Sequence, residues 1–304
     1  MENEQNKDIT NENAADTDEE VIGVQVALTA AQKKAAVGDY TEAKRILEET
    51  IERLENSKYY NDTKVQYHTF AGPIEQIIFL KDCDKTREYA AAPEPFATLY
   101  LTYGNLLMGM EDFEGAKSAM ENAIRWNPVN PNLKLEYADV FRAEGDTEAF
   151  FETTLDALTT AYTKDYLGHI YRNIGYYFIE KEKWREAMAA YVLSLHFDSK
   201  SEDAAKEIDY IQSRTEGKTG IPSMDEIRKI AGEEGFTTEA NESIVGIAAF
   251  YGHKAKDDGR NDVAEYFLSI AYELTGDSNI KDLLDEISDE DTEGVTGDTE
   301  NTII

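Results

Sequence analysis

Three stretches of this chain carry the same pair of small residues at the same separation: Gly104 with Ala116, Gly175 with Ala187, and Gly252 with Ala264. Around the first pair, residues 97–128 read as two helices. Leu99, Tyr103, Leu106 and Leu107 fall at helical spacing in a segment from about Pro95 to Gly109. Gly109 and the acidic pair Glu111-Asp112 supply a short turn. A second helix follows from Phe113 to Trp126, and Pro128 ends it because proline cannot continue a helix. Gly104 and Ala116 are small where two antiparallel helices cross closely, and larger side chains fill the space around the crossing. A hairpin of this kind cannot bury its apolar face alone, so the chain has to stack several.

The unit resembles a tetratricopeptide repeat (TPR). Counting from Ala97, Tyr100, Tyr103, Gly104 and Leu107 fall at the fourth, seventh, eighth and eleventh places of that pattern. Phe113 holds the aromatic seventeenth place. Ala116, Met120, Ala123 and Pro128 hold the twentieth, twenty-fourth, twenty-seventh and thirty-second. Counting from Gly168 gives Tyr171, Ile174, Gly175, Phe178, Trp184, Ala187, Tyr191 and Ser194. Counting from Val245 gives Ala248, Tyr251, Gly252, Ala255, Ala264, Leu268 and Ala271. Gly38-Asp39-Tyr40, Ala43 and Leu47 match the turn and second helix of another unit. A degenerate unit holds Tyr137, Ala138, Phe141 and Gly145, with Phe150 at the small-residue place. Its Ala149 suggests a one-residue deletion. The resemblance covers about residues 24–275 and implies an all-α fold: a TPR-type helical-hairpin solenoid, wound as a right-handed superhelix with a concave groove. The chain is similar to the cytoplasmic TPR proteins common in bacteria.

Two interruptions set the expected organisation. Residues 21–214 form the solenoid, with a non-repeat insertion at 58–96. There, Val65, Tyr67 and Thr69 alternate as in an extended segment, and Gly72-Pro73 opens a short helix. Residues 215–240 form a linker, in which Ser223 with Glu226 gives a capping-box start for a short helix. A last hairpin and a capping helix take up 241–288, the cap carrying Ile280, Leu283, Leu284 and Ile287. The hairpin is expected to sit slightly detached from the array.

The formal net charge is −32. Residues 1–20 hold eight acids against Lys7, giving −7, and residues 281–304 hold nine against Lys281, giving −8, so −17 remains for 21–280. Segments this polar cannot bury enough surface to offset ordering entropy, so 1–20 and 289–304 are expected to be disordered acidic tails. The charge disfavours nucleic acid and anionic membranes, whose binding is driven by Lys and Arg. No apolar run approaches the roughly 18 residues of a membrane helix, and no secretory pattern opens the chain, so a cytoplasmic location is expected. Cys83 is a lone cysteine, which excludes an intrachain disulfide.

Chemical signatures are absent. His68, His169, His196 and His253 form no i, i+4 pair or metal motif. Gly217-Lys218-Thr219 echoes the end of a P-loop, but Gln212 stands where the first glycine belongs. No catalytic residue, cofactor or metal is expected, and the chain is not expected to be an enzyme. In TPR arrays the second, fifth, ninth and twelfth places of each first helix face the concave side. The resemblance places there Thr98, Leu101, Asn105 and Met108, then Asn132, Leu135, Asp139 and Arg142, then His169, Arg172, Tyr176 and Ile179. The candidate partner-binding residues are Leu101, Asn105, Leu135, Asp139, Arg172 and Tyr176. Asn105 suits a peptide backbone and Arg172 a carboxylate. The carboxylate clamp of TPR co-chaperones is not matched, since Leu101 replaces its fifth-place lysine. The expected function is a protein-protein interaction module holding a neutral or basic protein or peptide in the groove. The alternatives are a self-associating scaffold and an acidic mimic that occupies a basic nucleic-acid-binding protein.

Overall fold

The computed structural model describes residues 21–83 and 85–296, with side chains described through Ser288. The expected acidic tail 1–20 and residues 297–304 lie outside the described residues. The chain order begins α1 (Val24–Ala36), α2 (Tyr40–Glu55), α3 (Lys58–Asn61), β1 (Val65–His68), α4 (Pro73–Asp82) and β2 (Glu88–Ala91). It continues α5 (Phe96–Gly109), α6 (Phe113–Trp126), α7 (Pro131–Glu144), α8 (Thr147–Thr160), α9 (Lys164–Glu180) and α10 (Trp184–Phe197). The last elements are α11 (Glu202–Arg214), α12 (Met224–Glu234), α13 (Glu242–Asp257), α14 (Asn261–Thr275) and α15 (Ser278–Thr296). The fold is an all-α helical repeat, apart from the short strand pair in the insertion.

Five hairpins, α1–α2, α5–α6, α7–α8, α9–α10 and α13–α14, share one turn. In each, a single residue takes left-handed backbone: Gly38, Glu111, Gly145, Glu182 and Gly259, with φ of 78°, 61°, 90°, 54° and 70°. The following residue is the N-cap of the second helix. Where it is Asp39, Asp112 or Asp146, its carboxylate accepts a backbone N–H three residues on, satisfying a donor the helix cannot.

The crossings explain the glycines. A Cβ at Gly104 would lie 2.9 Å from Met120 Cε, one at Gly175 2.6 Å from the Tyr191 ring, and one at Gly252 2.7 Å from Leu268 Cγ. Each glycine is thus the seat of the large residue at the twenty-fourth place of its own hairpin. The degenerate hairpin keeps the same register, since Gly145 and Asp146 occupy the same turn positions as in the others. The deletion expected at Ala149 is therefore corrected: no residue is missing. Instead the sizes are exchanged. Ala138 replaces the glycine, the small Thr154 replaces the large residue, and Phe150 takes the small place; Ala138, Phe150 and Thr154 are all 0% exposed.

The insertion leaves the array without breaking it. Helix α5 packs on both α1 and α2, as the next hairpin would. Between them, β1, α4 and β2 form a strand-helix-strand unit whose strands pair in parallel, Val65 opposite Glu88 through His68 opposite Ala91. Only the first of these strands was visible in the sequence. Glu75 on α4 is 0% exposed and fastens the unit to the array. Its carboxylate accepts from the Ala71 amide (2.6 Å), Asn127 Nδ2 (2.8 Å), Asn130 Nδ2 (2.7 Å) and the Tyr162 hydroxyl (2.9 Å). Glu94, at the exit of the insertion, caps α1 from 70 residues away, taking the amides of Ile22, Gly23 and Val24 on its carboxylate.

Beyond α10 the stacking changes. Helices α11 and α12 both pack on α10, and α12 opens with the expected Ser223–Glu226 capping box. The last hairpin turns back to pack on α4. Lys81 bonds Ser243, Asn241 Nδ2 donates to Thr159 O at 2.8 Å, and a Cβ at Gly72 would meet the Tyr266 hydroxyl at 2.8 Å. Ile74 and Ile78 of α4 belong to one buried cluster with Ile244, Phe267 and Leu268. The detachment expected of this hairpin is corrected: it is docked on the insertion. Helix α15 covers α14 through buried Ile280 and Ile287 and runs through Thr296, past the point where the acidic tail was expected to begin.

Candidate functional site

The first helices of three consecutive hairpins, α5, α7 and α9, carry the expected groove residues. The insertion walls off one part of that surface. Thr98, Leu101 and Asn132 line a cavity of about 590 Å³ together with Thr69, Phe70 and Pro93.

Further along the same helices runs a continuous polar wall. Asn105 on α5 bonds the Glu136 carboxylate on α7, and Asn105 Oδ1 is buried without a donor. Burial, reinforced by the charge of Asp139, pushes the Glu136 carboxyl up, while the Asn105 bond opposes this. Arg142 Nη2 lies 2.9 Å from Asp139 Oδ1, an ion-pair approach without hydrogen-bond alignment, so that oxygen keeps a free lone pair. The Arg142 guanidinium sits 5.7 Å from the centre of the Tyr176 ring on α9. His169 faces the same charges. Burial pushes its pKa down, Arg172 and Arg142 push the same way, and Asp139 opposes them.

Tyr176 owes its placement to the exchanged hairpin. The Phe150 ring on α8 meets it edge-on, with centroids 5.6 Å apart. A small residue at that place, as in the other hairpins, would leave the Tyr176 ring without this support.

Three of the six candidates, Asn105, Asp139 and Tyr176, stand together on the wall, joined by Glu136, Arg142 and His169. Leu101 lines the neighbouring cavity instead. Leu135 is 1% exposed and belongs to the core, which corrects its placement as a contact residue; α7 buries that face. Arg172 is already engaged, since its Nη1 reaches Asp198 Oδ2 (3.1 Å) and Ser201 Oγ (3.3 Å) and pins the turn between α10 and α11. Glu136 was noted in the sequence only as an obstacle to the co-chaperone clamp. Its partial burial between Asn105 and Asp139 is a tertiary fact.

Among the described residues no group of His, Cys, Asp and Glu is placed to hold a metal ion, and no helix is long and apolar enough to cross a membrane.

No family model matches the sequence, and no curated protein matches it. Solved structures do resemble the chain. They include PilF of Pseudomonas aeruginosa, at 11% identity over 88% of this chain and 97% of that one, with a TM-score of 0.46. The ArsTM double mutant of MamA RS-1 matches at 11% identity over 70% and 96%, with a TM-score of 0.44. The C-terminal part of a TPR repeat-containing protein of Cytophaga hutchinsonii matches at 10% over 85% and 98%, with a TM-score of 0.37. The assignment of the fold rests on the hairpins themselves. Five turns share one left-handed position, and three glycines each seat the large residue sixteen places on, so the chain is an all-α array of TPR-like helical hairpins.

Proposed function

We propose that the chain is a non-enzymatic protein-protein interaction module that holds an extended peptide or a helix of a partner protein against α5, α7 and α9. The observation that carries this reading is the wall Asn105–Glu136–Asp139–Arg142–Tyr176. It sets one guanidinium and an aromatic face beside amide and carboxylate groups, on helices fixed by their own core. Two carboxylates against one arginine, in a body already acidic, favour a neutral or basic partner over an acidic one.

The test is recovery of partners with the full chain, followed by titration of the main partner against three variants. Asn105→Ala, Asp139→Asn and Tyr176→Ala are each expected to weaken binding tenfold or more, while Leu80→Ala, outside the wall, leaves it unchanged. Binding unaffected by all three wall variants would remove the groove assignment.

A further inference from the structure

A second surface lies where the insertion meets the end of α6. Arg87 and Arg125 border one small cleft with Tyr60, Asp62, Gln66 and Trp126. Both guanidiniums are exposed, and both are held by backbone carbonyls. Arg87 Nη2 donates to Asp62 O at 3.1 Å, and Arg125 Nη2 donates to Tyr60 O at 3.4 Å while its guanidinium lies 4.0 Å over the Tyr60 ring. Neither forms an ion pair with a carboxylate of the described residues, as is also true of Arg53, Arg185 and Arg214, whereas Arg45, Arg142, Arg172, Arg228 and Arg260 do. The nearby Asp62 carboxylate accepts from the backbone amides of Lys64 (2.7 Å) and Val65 (3.0 Å). Glu88, beside Arg87 in sequence, and Lys64 are both exposed.

An independent feature points to the same ligand chemistry. Trp126 is 3% exposed, and its indole N–H is buried without an acceptor. The cleft it lines encloses about 20 Å³, room for one oxygen atom the size of a water. Two guanidiniums and an orphan N–H among its lining groups are donors, while the Asp62 carboxylate, which lines it too, takes the Lys64 and Val65 amides on Oδ1. A guanidinium fork matches a carboxylate in shape as well as charge.

We propose that Arg87 and Arg125 form a carboxylate notch that takes an Asp or Glu side chain of a partner peptide. Nucleic acid is the poorer occupant. Its closely spaced phosphates would extend beyond the two arginines onto a surface of net negative charge. The notch does not depend on the groove reading, and it gives a locally anion-seeking point to a chain whose overall charge disfavours anions.

The test is fluorescence anisotropy with the full chain at 50 and 300 mM salt, using a labelled decamer of alternating Glu and Gly. Saturable binding is expected at low salt, reduced severalfold at high salt. Arg87→Gln/Arg125→Gln should weaken it at least tenfold, with an unchanged melting temperature because both side chains are on the surface. Should the double variant melt early, Arg87→Gln alone is expected to weaken binding threefold or more. A Gln-Gly decamer should not bind. No saturable binding, binding unchanged in the variants, equal binding of the Gln-Gly decamer, or tighter binding of an oligothymidylate would each overturn the proposal.

Discussion

At the residue scale, charge and polarity matter most where they are buried. His68 is 1% exposed, its Nδ1 lies 3.3 Å from Trp126 O, and its ring packs against Phe70 and Phe79 at 5.5 and 4.4 Å. Burial pushes its pKa down to about 4. Arg87 and Arg125 push the same way, and the bond to Trp126 opposes them. The folded state therefore resists a proton that the unfolded chain accepts near pH 6.5. Stability is full above that value, falls as the pH drops from about 6.5 to about 4, and gains no further loss from this group below it. The loss is on the order of 3 kcal/mol. His68→Phe keeps the ring packing, and Trp126 O keeps the Thr69 amide as a donor at 2.9 Å. Urea unfolding at pH 7.5, 6, 5 and 4 should show a shallower acid decline in this variant, and parallel declines would rule out His68 as the cause.

At the element scale, the unit of design is the hairpin crossing. In three hairpins a glycine receives Met120, Tyr191 or Leu268, and in α7–α8 the corresponding places hold Ala138, a smaller Thr154 and Phe150, all buried. The two arrangements conserve the volume of the crossing by different means, so the changes must be coupled. Phe150→Ala alone is expected to cost about 3–5 kcal/mol through the cavity it leaves. Thr154→Met alone should cost about 1–3 kcal/mol by overpacking against Ala138. Combining Phe150→Ala and Thr154→Met with Ala138→Gly rebuilds the commoner arrangement and should recover part of the sum. Chemical denaturation of the set measures this, and strictly additive losses would show that the three sites do not share one crossing. The triple variant should also bind the groove partner less well, because Phe150 supports Tyr176.

At the scale of the whole molecule, the insertion is what joins the ends of the array. Helix α4 touches the turns between α6 and α7 and between α8 and α9 through Glu75, and it carries α13–α14 on its other contacts. Glu75→Ala would remove the acceptor of the Ala71 amide, the Asn130 side-chain amide and the Tyr162 hydroxyl and leave Asn127 Nδ2 only Thr69 O, and is expected to cost about 3 kcal/mol. The expected signature in hydrogen exchange is regional. Amides of α13 and α14 should exchange faster than those of α9 and α10, because the last hairpin loses its platform first. Uniform acceleration across the chain would mean that the hairpin is held by something other than α4.

Much of the fold was legible because its causes are local. A glycine or alanine at a crossing, an acid in a turn, a proline after a helix and the Ser223–Glu226 pair each act within one hairpin, so spacing along the chain reports them. The second strand was not legible, since Glu88–Ala91 has no β-branched residue and is a strand only because β1 lies beside it. The size exchange between Phe150 and Thr154 looks like a one-residue deletion when only α8 of the crossing is in view. On the polar wall, Asn105, Asp139 and Tyr176 stand among the residues that the TPR resemblance assigns to the concave side. The burial of Leu135, the engagement of Arg172 by Asp198, the raised Glu136 and the pairing of Arg87 with Arg125 at one cleft all join residues tens of positions apart. The sequence by itself determined the repeat, its turns and the acidic surface, because these follow from interactions within a few helical turns. Only the tertiary structure decided which polar groups meet and where the last hairpin docks, because those contacts depend on how separate hairpins and the insertion pack together.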